Sequence, residues 1–193
     1  LMRIITFDIE TANWITDTGS SDPADLTLAI VCVHDSETDQ YSSYLESELP
    51  KLWPLLERAD VLVGYNSDHF DIPLLNKYYP GDLSKITSID LMHEVYNALG
   101  RRLKLDALAE GTLGEKKLDG KNGQSIVWWR AGEVEKVREY CLKDVELTKR
   151  LFDHALNNGS LTYKELGTLR NIKLNTSHWL EPKKSAMTFS LGF

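Results

Sequence analysis

Arg3-Ile4-Ile5-Thr6-Phe7-Asp8-Ile9-Glu10 is the stretch on which the fold turns. Its β-branched and aromatic residues predict a strand, and that strand ends in two carboxylates. Residues two apart share a strand face, so Asp8 and Glu10 converge on one side while Phe7 and Ile9 bury the other. Such a pair is a ready ligand set for a hard divalent cation, the alternative being a solvated pair on an edge strand. The spacing alone does not decide, because Asp-x-Glu recurs at Asp35/Glu37 and Asp144/Glu146. The first of those falls in a turn and the second on a helix, where residues two apart diverge.

Outward from this strand, residues 26–33 form a nearly all-apolar run, 35–39 read as a turn and 40–44 as a third strand. The opening is thus an antiparallel three-strand meander. Residues 48–59 have helical spacing, with Leu49, Leu52, Trp53, Leu55 and Leu56 on one side and Pro50 in the first turn. A short buried strand is expected over 60–65 and another over 86–89. Helices are expected over 71–79, before Pro80-Gly81, over 91–99, ended by Gly100, and over 103–113. A polar loop follows over 114–124. The longest periodic segment is 132–158, with Val134, Val137, Cys141, Val145, Thr148 and Leu151 or Phe152 in three- and four-residue steps and Gly159 closing it. Residues 160–193 are weakly patterned and predict no element. With no internal repeat and no linker-like shift, one α/β domain is the economical reading.

Composition agrees. At 193 residues, 42% hydrophobic and 26% charged, the chain has enough apolar surface for a core, which excludes a disordered, collagen-like or disulfide-scaffold protein. Cys32 and Cys141 sit in apolar patterns and read as reduced thiols. No apolar run approaches the ~18 residues of a membrane span, and no secretion leader is seen, so a soluble, cytoplasmic protein without membrane contact is expected. The formal net charge is −7, and residues 1–48 alone carry −9 whereas residues 101–193 carry +5. That balance argues against a protein that coats nucleic acid with cations.

Two further clusters carry chemistry. Gly64-Tyr65-Asn66-Ser67-Asp68-His69-Phe70-Asp71-Ile72-Pro73 runs from a strand through a short loop into a helix start. Asp71, taken alone, reads as an ordinary N-cap. In Tyr140-Cys141-Leu142-Lys143-Asp144 the phenol and carboxylate lie four apart on one helical face.

Phe7-Asp8-Ile9-Glu10-Thr11, Gly64 to Leu75 and Tyr140 to Leu151, in that order, resemble the three exonuclease motifs of the DnaQ-like 3′–5′ exonucleases of ribonuclease H-like fold. The likeness is to the branch whose third motif carries a tyrosine, and its wording is similar to the proofreading domain of family B DNA polymerases and to related stand-alone exonucleases. Asn66, Phe70 and Asp71 fit the second motif's Asn-x-x-x-Phe-Asp, and Leu105-Asp106-Ala107-Leu108-Ala109 is also family-like. The resemblance covers about residues 3–152.

It implies a mixed five-stranded sheet flanked by helices, with the meander joined to parallel strands. It also implies a domain over 1–158, with 159–193 an extension packed upon it. Asp8, Glu10, Asp71 and Asp144 become the carboxylates for two divalent ions, Mg²⁺ or Mn²⁺, since no Cys or His cluster is visible that would suit zinc. Asp8 would bridge the ions, Glu10 and Asp144 would hold one, Asp71 would support the other, and Tyr140 would orient the attacking water. Thr11 and Ala12, through backbone groups, and Asn66 and Phe70 would meet the terminal nucleotide, Phe70 being equally readable as a core aromatic. Trp14 reads as packing or as a base-stacking ring. Arg101, Arg102 and Lys104, with Lys116, Lys117 and Lys121, form a candidate phosphate path or a solvated basic surface. Trp128 and Trp129 read as anchors of the long helix. The implied activity is removal of nucleotides from a single-stranded 3′ end, DNA in preference to RNA, with a polymerase, helicase or other replication or repair protein as a possible partner. An exoribonuclease and a catalytically silent binding domain remain the alternatives.

Overall fold

The computed structural model describes residues 2–115 and 123–181 of the chain. β1 (Ile4–Thr11) is the middle strand of a five-stranded sheet completed by β2 (Leu28–Asp35), β3 (Gln40–Leu45), β4 (Val61–Gly64) and β5 (Thr87–Asp90). The order is β3-β2-β1-β4-β5. β1, β2 and β3 pair antiparallel, as the meander requires, and β1, β4 and β5 pair parallel. The carboxyl ends of β1, β4 and β5 therefore open on one edge of the sheet. An open α/β sheet leaves room for ligands at that edge.

The helices are α1 (Ile15–Thr18), α2 (Leu49–Glu57), α3 (Asp71–Asn76), α4 (Leu91–Leu99), α5 (Leu105–Leu108), α6 (Gln124–Arg130) and α7 (Val134–Asn158). The two-residue period of the strands sorts the layers. Ile5, Phe7, Ile9, Val31, Val33 and Leu62 face α2 and α3, packing on Leu52, Leu56, Leu74 and Leu75. Ile30 and Cys32 face Val137, Cys141 and Val145 of α7, and Val61 and Val63 share a cluster with Leu151, Phe152 and Ala155 farther along it. Asp8 and Glu10 have the opposite parity to Phe7 and Ile9. They are thereby turned to the α7 side.

At its 25 residues α7 is about 37 Å long, enough to cross the sheet. Gly159, at φ 63°, ends it by donating its N–H to the Ala155 carbonyl at 2.8 Å. Within the sheet, Arg3 grips Asp35 bidentately at 3.1 and 2.7 Å, joining the start of β1 to the end of β2.

Besides the single turn α1, which was not expected, and α3, which ends at Asn76 rather than at residue 79, three segments differ from the sequence expectation. Residues 160–173, without a predicted element, form the antiparallel hairpin β6 (Ser160–Glu165) and β7 (Thr168–Lys173). Leu166 and Gly167 both have positive φ, which gives the turn the twist a two-residue hairpin needs. Along β7 only Ile172 is buried, so no alternation was visible in sequence. Leu161, Tyr163, Ile172, Leu174 and Trp179 join Leu151 and Phe152 in one core cluster, and Trp179 stacks on Phe152 at 5.3 Å.

The single helix expected over 103–113 is instead α5 followed by a π-helical turn, Ala109–Leu113. The turn docks on β6. Thr112 Oγ1 donates to the Thr162 carbonyl at 2.8 Å and accepts from its N–H at 2.9 Å. A Cβ on Gly111 would stand 2.4 Å from the same carbonyl, so only glycine permits the approach. α6 is the third difference, emerging from the end of the expected polar loop, whose residues 116–122, Lys116, Lys117 and Lys121 among them, lie outside the described residues. Among the described residues no helix is long and apolar enough to cross a membrane.

Candidate active site

Strand parity and helix phase build the site. Asp8 and Glu10 come from the α7-facing side of β1, and Asp144 from the buried face of α7. One carboxylate oxygen from each lies within 4.8 Å of the others. Three like charges this close repel unless a cation intervenes, and all the donors are oxygens, which fits a hard divalent ion such as Mg²⁺ or Mn²⁺.

Asp71 lies near this group. It is not the N-cap its position in the sequence allows: Phe70 precedes the first turn of α3, and the Asp71 carboxylate instead accepts the main-chain N–H of Ile9 at 3.1 Å. Ile9 lies between Asp8 and Glu10, so Asp71 stands beside their strand, close to the three-oxygen group and outside it. Burial, then Asp90 and Glu10, push its pKa well above the ordinary carboxylate value against the pull of the Ile9 N–H.

Tyr140 lies one turn before Asp144 on the buried side of α7, its ring meeting the edge of Trp128 at 5.8 Å. Trp128 and Trp129 pack against the Val137/Cys141 cluster and so anchor the helix.

The expected nucleotide contacts are placed unequally. Thr11 ends β1 at a register slip, and its hydroxyl donates to the Asn13 carbonyl at 3.0 Å. The Ala12 N–H donates to the Thr27 carbonyl at 2.8 Å and is thus engaged within the chain. Phe70 packs against the core on the α3 side. Asn66, at φ 61°, is held at the end of β4 by Asp90, which accepts its N–H at 2.8 Å. Trp14 lies under the Arg130 guanidinium at 4.4 Å and against Gly123, the packing reading of that residue. Arg101 is paired with Glu165 and lies over the Tyr163 ring, which removes it from a phosphate path.

A model of the RNase H superfamily matches residues 5–156. The chain belongs to that superfamily. Its sheet order and flanking helices are those of an RNase H-like fold. Among solved structures it is similar to the family B DNA polymerase of the hyperthermophilic archaeon Pyrobaculum calidifontis, with TM-score 0.62 and 21% identity over 81% of this chain. It spans 25% of that polymerase's length, and at this identity the likeness is one of fold. No curated protein sequence matches the chain.

Four supporting residues of this RNase H-like site were not foreseen. Ser125 on α6 donates its hydroxyl to Glu10 Oε2 at 2.5 Å. Cys141 Sγ lies 3.4 Å from the Asp8 carbonyl oxygen, a buried thiol whose pKa is raised by that burial and next by Cys32. Trp128 borders Tyr140. Asp90 accepts the N–H groups of Asn66, Asp68, Met92 and His93 at 2.8–3.3 Å, pinning the loop before Asp71 to the start of α4. Asp90 alone left a signal in sequence, an acid directly before a helical run.

Proposed function

We propose that this RNase H superfamily domain is a metal-dependent 3′–5′ exonuclease of the tyrosine-bearing branch. It would release nucleoside monophosphates from the 3′ end of single-stranded DNA. The observation that carries the reading is the meeting of Asp8, Glu10 and Asp144 within 4.8 Å, at the sheet edge where parallel strands end. The order of the three sequence motifs and the polymerase-like fold support it.

In this reading Asp8, Glu10 and Asp144 would hold two divalent ions, Mg²⁺ or Mn²⁺, with Asp71 in support of the second. When bound, such ions supply a nucleophilic water at neutral pH and compensate the charge that develops on the phosphoryl and leaving oxygens. The chain's own residues do the rest. Ser125 and Cys141 fix how Glu10 and the main chain at Asp8 are presented. The Tyr140 phenol, held by Trp128, orients the attacking water by hydrogen bonding. Asn66 and Phe70 flank the terminal nucleotide from the β4–α3 loop. With a net charge of −7, affinity for the strand depends on the ions and a few cations, so delivery by a polymerase, helicase or repair partner suits the domain.

Incubation of a short single-stranded DNA with the protein and Mn²⁺, followed by chromatography, is expected to give nucleoside 5′-monophosphates, with EDTA abolishing them. Products confined to internal fragments, or to an RNA of the same sequence, would show another activity. Tyr140→Phe should slow the reaction on DNA, and an unaltered rate would remove the tyrosine from the mechanism.

A further inference from the structure

α6 touches the site in two places. Its Ser125 hydroxyl reaches Glu10, and its Trp128 ring meets Tyr140. The two residues are three apart on the helix and so share a face. The position of this one helix therefore enters both the aim of a metal carboxylate and the setting of the phenol. The tolerance is small: a hydroxyl-to-carboxylate bond of 2.5 Å is out of range after a displacement of about 1 Å. A helix of seven residues is too short to keep its place by its own main-chain bonds, so its side chains and neighbours must fix it.

The neighbour that does so begins four residues beyond Glu10. Trp14 lies against both ends of α6. Gly123 precedes the first turn at φ 78°, and a Cβ on it would stand 2.5 Å from Trp14 Nε1. Arg130, the last residue of the helix, holds its guanidinium 4.4 Å from the centre of the same ring. That guanidinium also donates to Asp17 Oδ2 at 2.6 Å, and the same oxygen accepts the Trp14 main-chain N–H at 2.9 Å. Indole, guanidinium and carboxylate thus close into one group, stacked on one side and charge-paired on the other. Arg130 and Asp17 are 49% and 39% exposed, and an ion pair so open to water adds little to global stability. Its effect is on where α6 sits.

We propose that Trp14, Asp17 and Arg130 are positioning residues of the metal centre: they dock α6, and through Ser125 and Trp128 they set Glu10 and Tyr140 together. The assignment rests on the metal-dependent exonuclease reading given above.

Its test reads Mn²⁺ binding in the absence of DNA, from the electron paramagnetic resonance signal of the free ion, and beside it kcat on single-stranded DNA at saturating Mn²⁺. Arg130→Ala should raise the Mn²⁺ dissociation constant about tenfold and lower kcat by a similar factor. The thermal midpoint should stay within about 3 °C of that of the unsubstituted protein. In a Ser125→Ala background the further effect of Arg130→Ala on Mn²⁺ binding should shrink to within about twofold, because its route to Glu10 is already cut, whereas the effect on kcat, which runs through Trp128, should persist. Asp17→Asn removes the charge and keeps the shape, and decides by the same criteria if Arg130→Ala does not fold. Mn²⁺ binding within twofold of that of the unsubstituted protein, or Ser125→Ala and Arg130→Ala losses in binding that multiply, overturns the positioning role while leaving the exonuclease reading in place. The expected binding pattern without hydrolysis of DNA overturns the exonuclease reading and leaves the link from Arg130 to Glu10 standing. No Mn²⁺ binding by the unsubstituted protein overturns both.

Discussion

The hydroxyl of Ser125 lies 2.5 Å from Oε2 of Glu10, across 115 residues of chain. It ties α6 to the end of β1 and sets the direction in which one member of the carboxylate group faces. Residues that orient a metal ligand in this way typically alter metal affinity or activity 10- to 100-fold when removed.

Ser125→Ala is therefore expected to raise the Mn²⁺ concentration needed for half-maximal exonuclease activity by about tenfold, with the thermal midpoint little changed. Titration of Mn²⁺ against rate measures it. A half-saturation equal to that of the unsubstituted protein would leave Ser125 with no part in positioning Glu10.

Trp179 is fully buried against Phe152, although it lies after β7 in a segment with no sequence pattern. Trp179→Ala should cost about 3–5 kcal/mol, the usual loss for removing a large buried aromatic. Urea unfolding reads this directly. A loss below about 1 kcal/mol would mean that the segment after β7 contributes little to the core.

Arg3 and Asp35 make the pH-sensitive staple of the sheet. Burial alone would raise the Asp35 pKa, but the Arg3 guanidinium, the Glu37 N–H and the Thr38 hydroxyl together hold it below the ordinary value. A carboxylate lowered in the folded state stabilises the fold above its unfolded pKa of about 3.9, and that contribution disappears as pH falls through the lower folded value. Asp35→Asn should thus cost about 1.5–3 kcal/mol at pH 7, and the gap from the unsubstituted protein should narrow as pH falls below about 4. Unfolding midpoints across pH 2–7 test the sign, and a gap that widens toward acid contradicts it.

The legible parts of the molecule were those where one physical period dominates. The alternation in Arg3 to Glu10 was enough to place Asp8 and Glu10 opposite Phe7 and Ile9, because a core strand with one functional face cannot slip by a residue. The helical period from Val137 to Phe152 likewise set Tyr140 and Asp144 on one face. Asp71 was legible as a candidate site residue only through the motif around it; its bond to the Ile9 N–H is a contact over 62 residues that local pattern does not encode. Ser125 left no trace because its role depends on where α6 docks. β7 and Trp179 were silent for the opposite reason: the strand is exposed on nearly every residue, and a lone tryptophan has no period. In the basic stretch 101–104, charge counting treated Arg101 and Arg102 alike, whereas Glu165, on a hairpin the sequence did not announce, engages the first and leaves the second on a surface cleft.

The central claim, that Asp8, Glu10 and Asp144 form the metal centre of a 3′–5′ exonuclease, is tested most directly by a 5′-labelled single-stranded DNA incubated with Mn²⁺. The unsubstituted protein should produce a ladder that shortens one nucleotide at a time from the 3′ end, and Asp8→Ala, folded by circular dichroism, should leave the substrate intact. No ladder from the unsubstituted protein, or the same ladder from Asp8→Ala, would contradict the account.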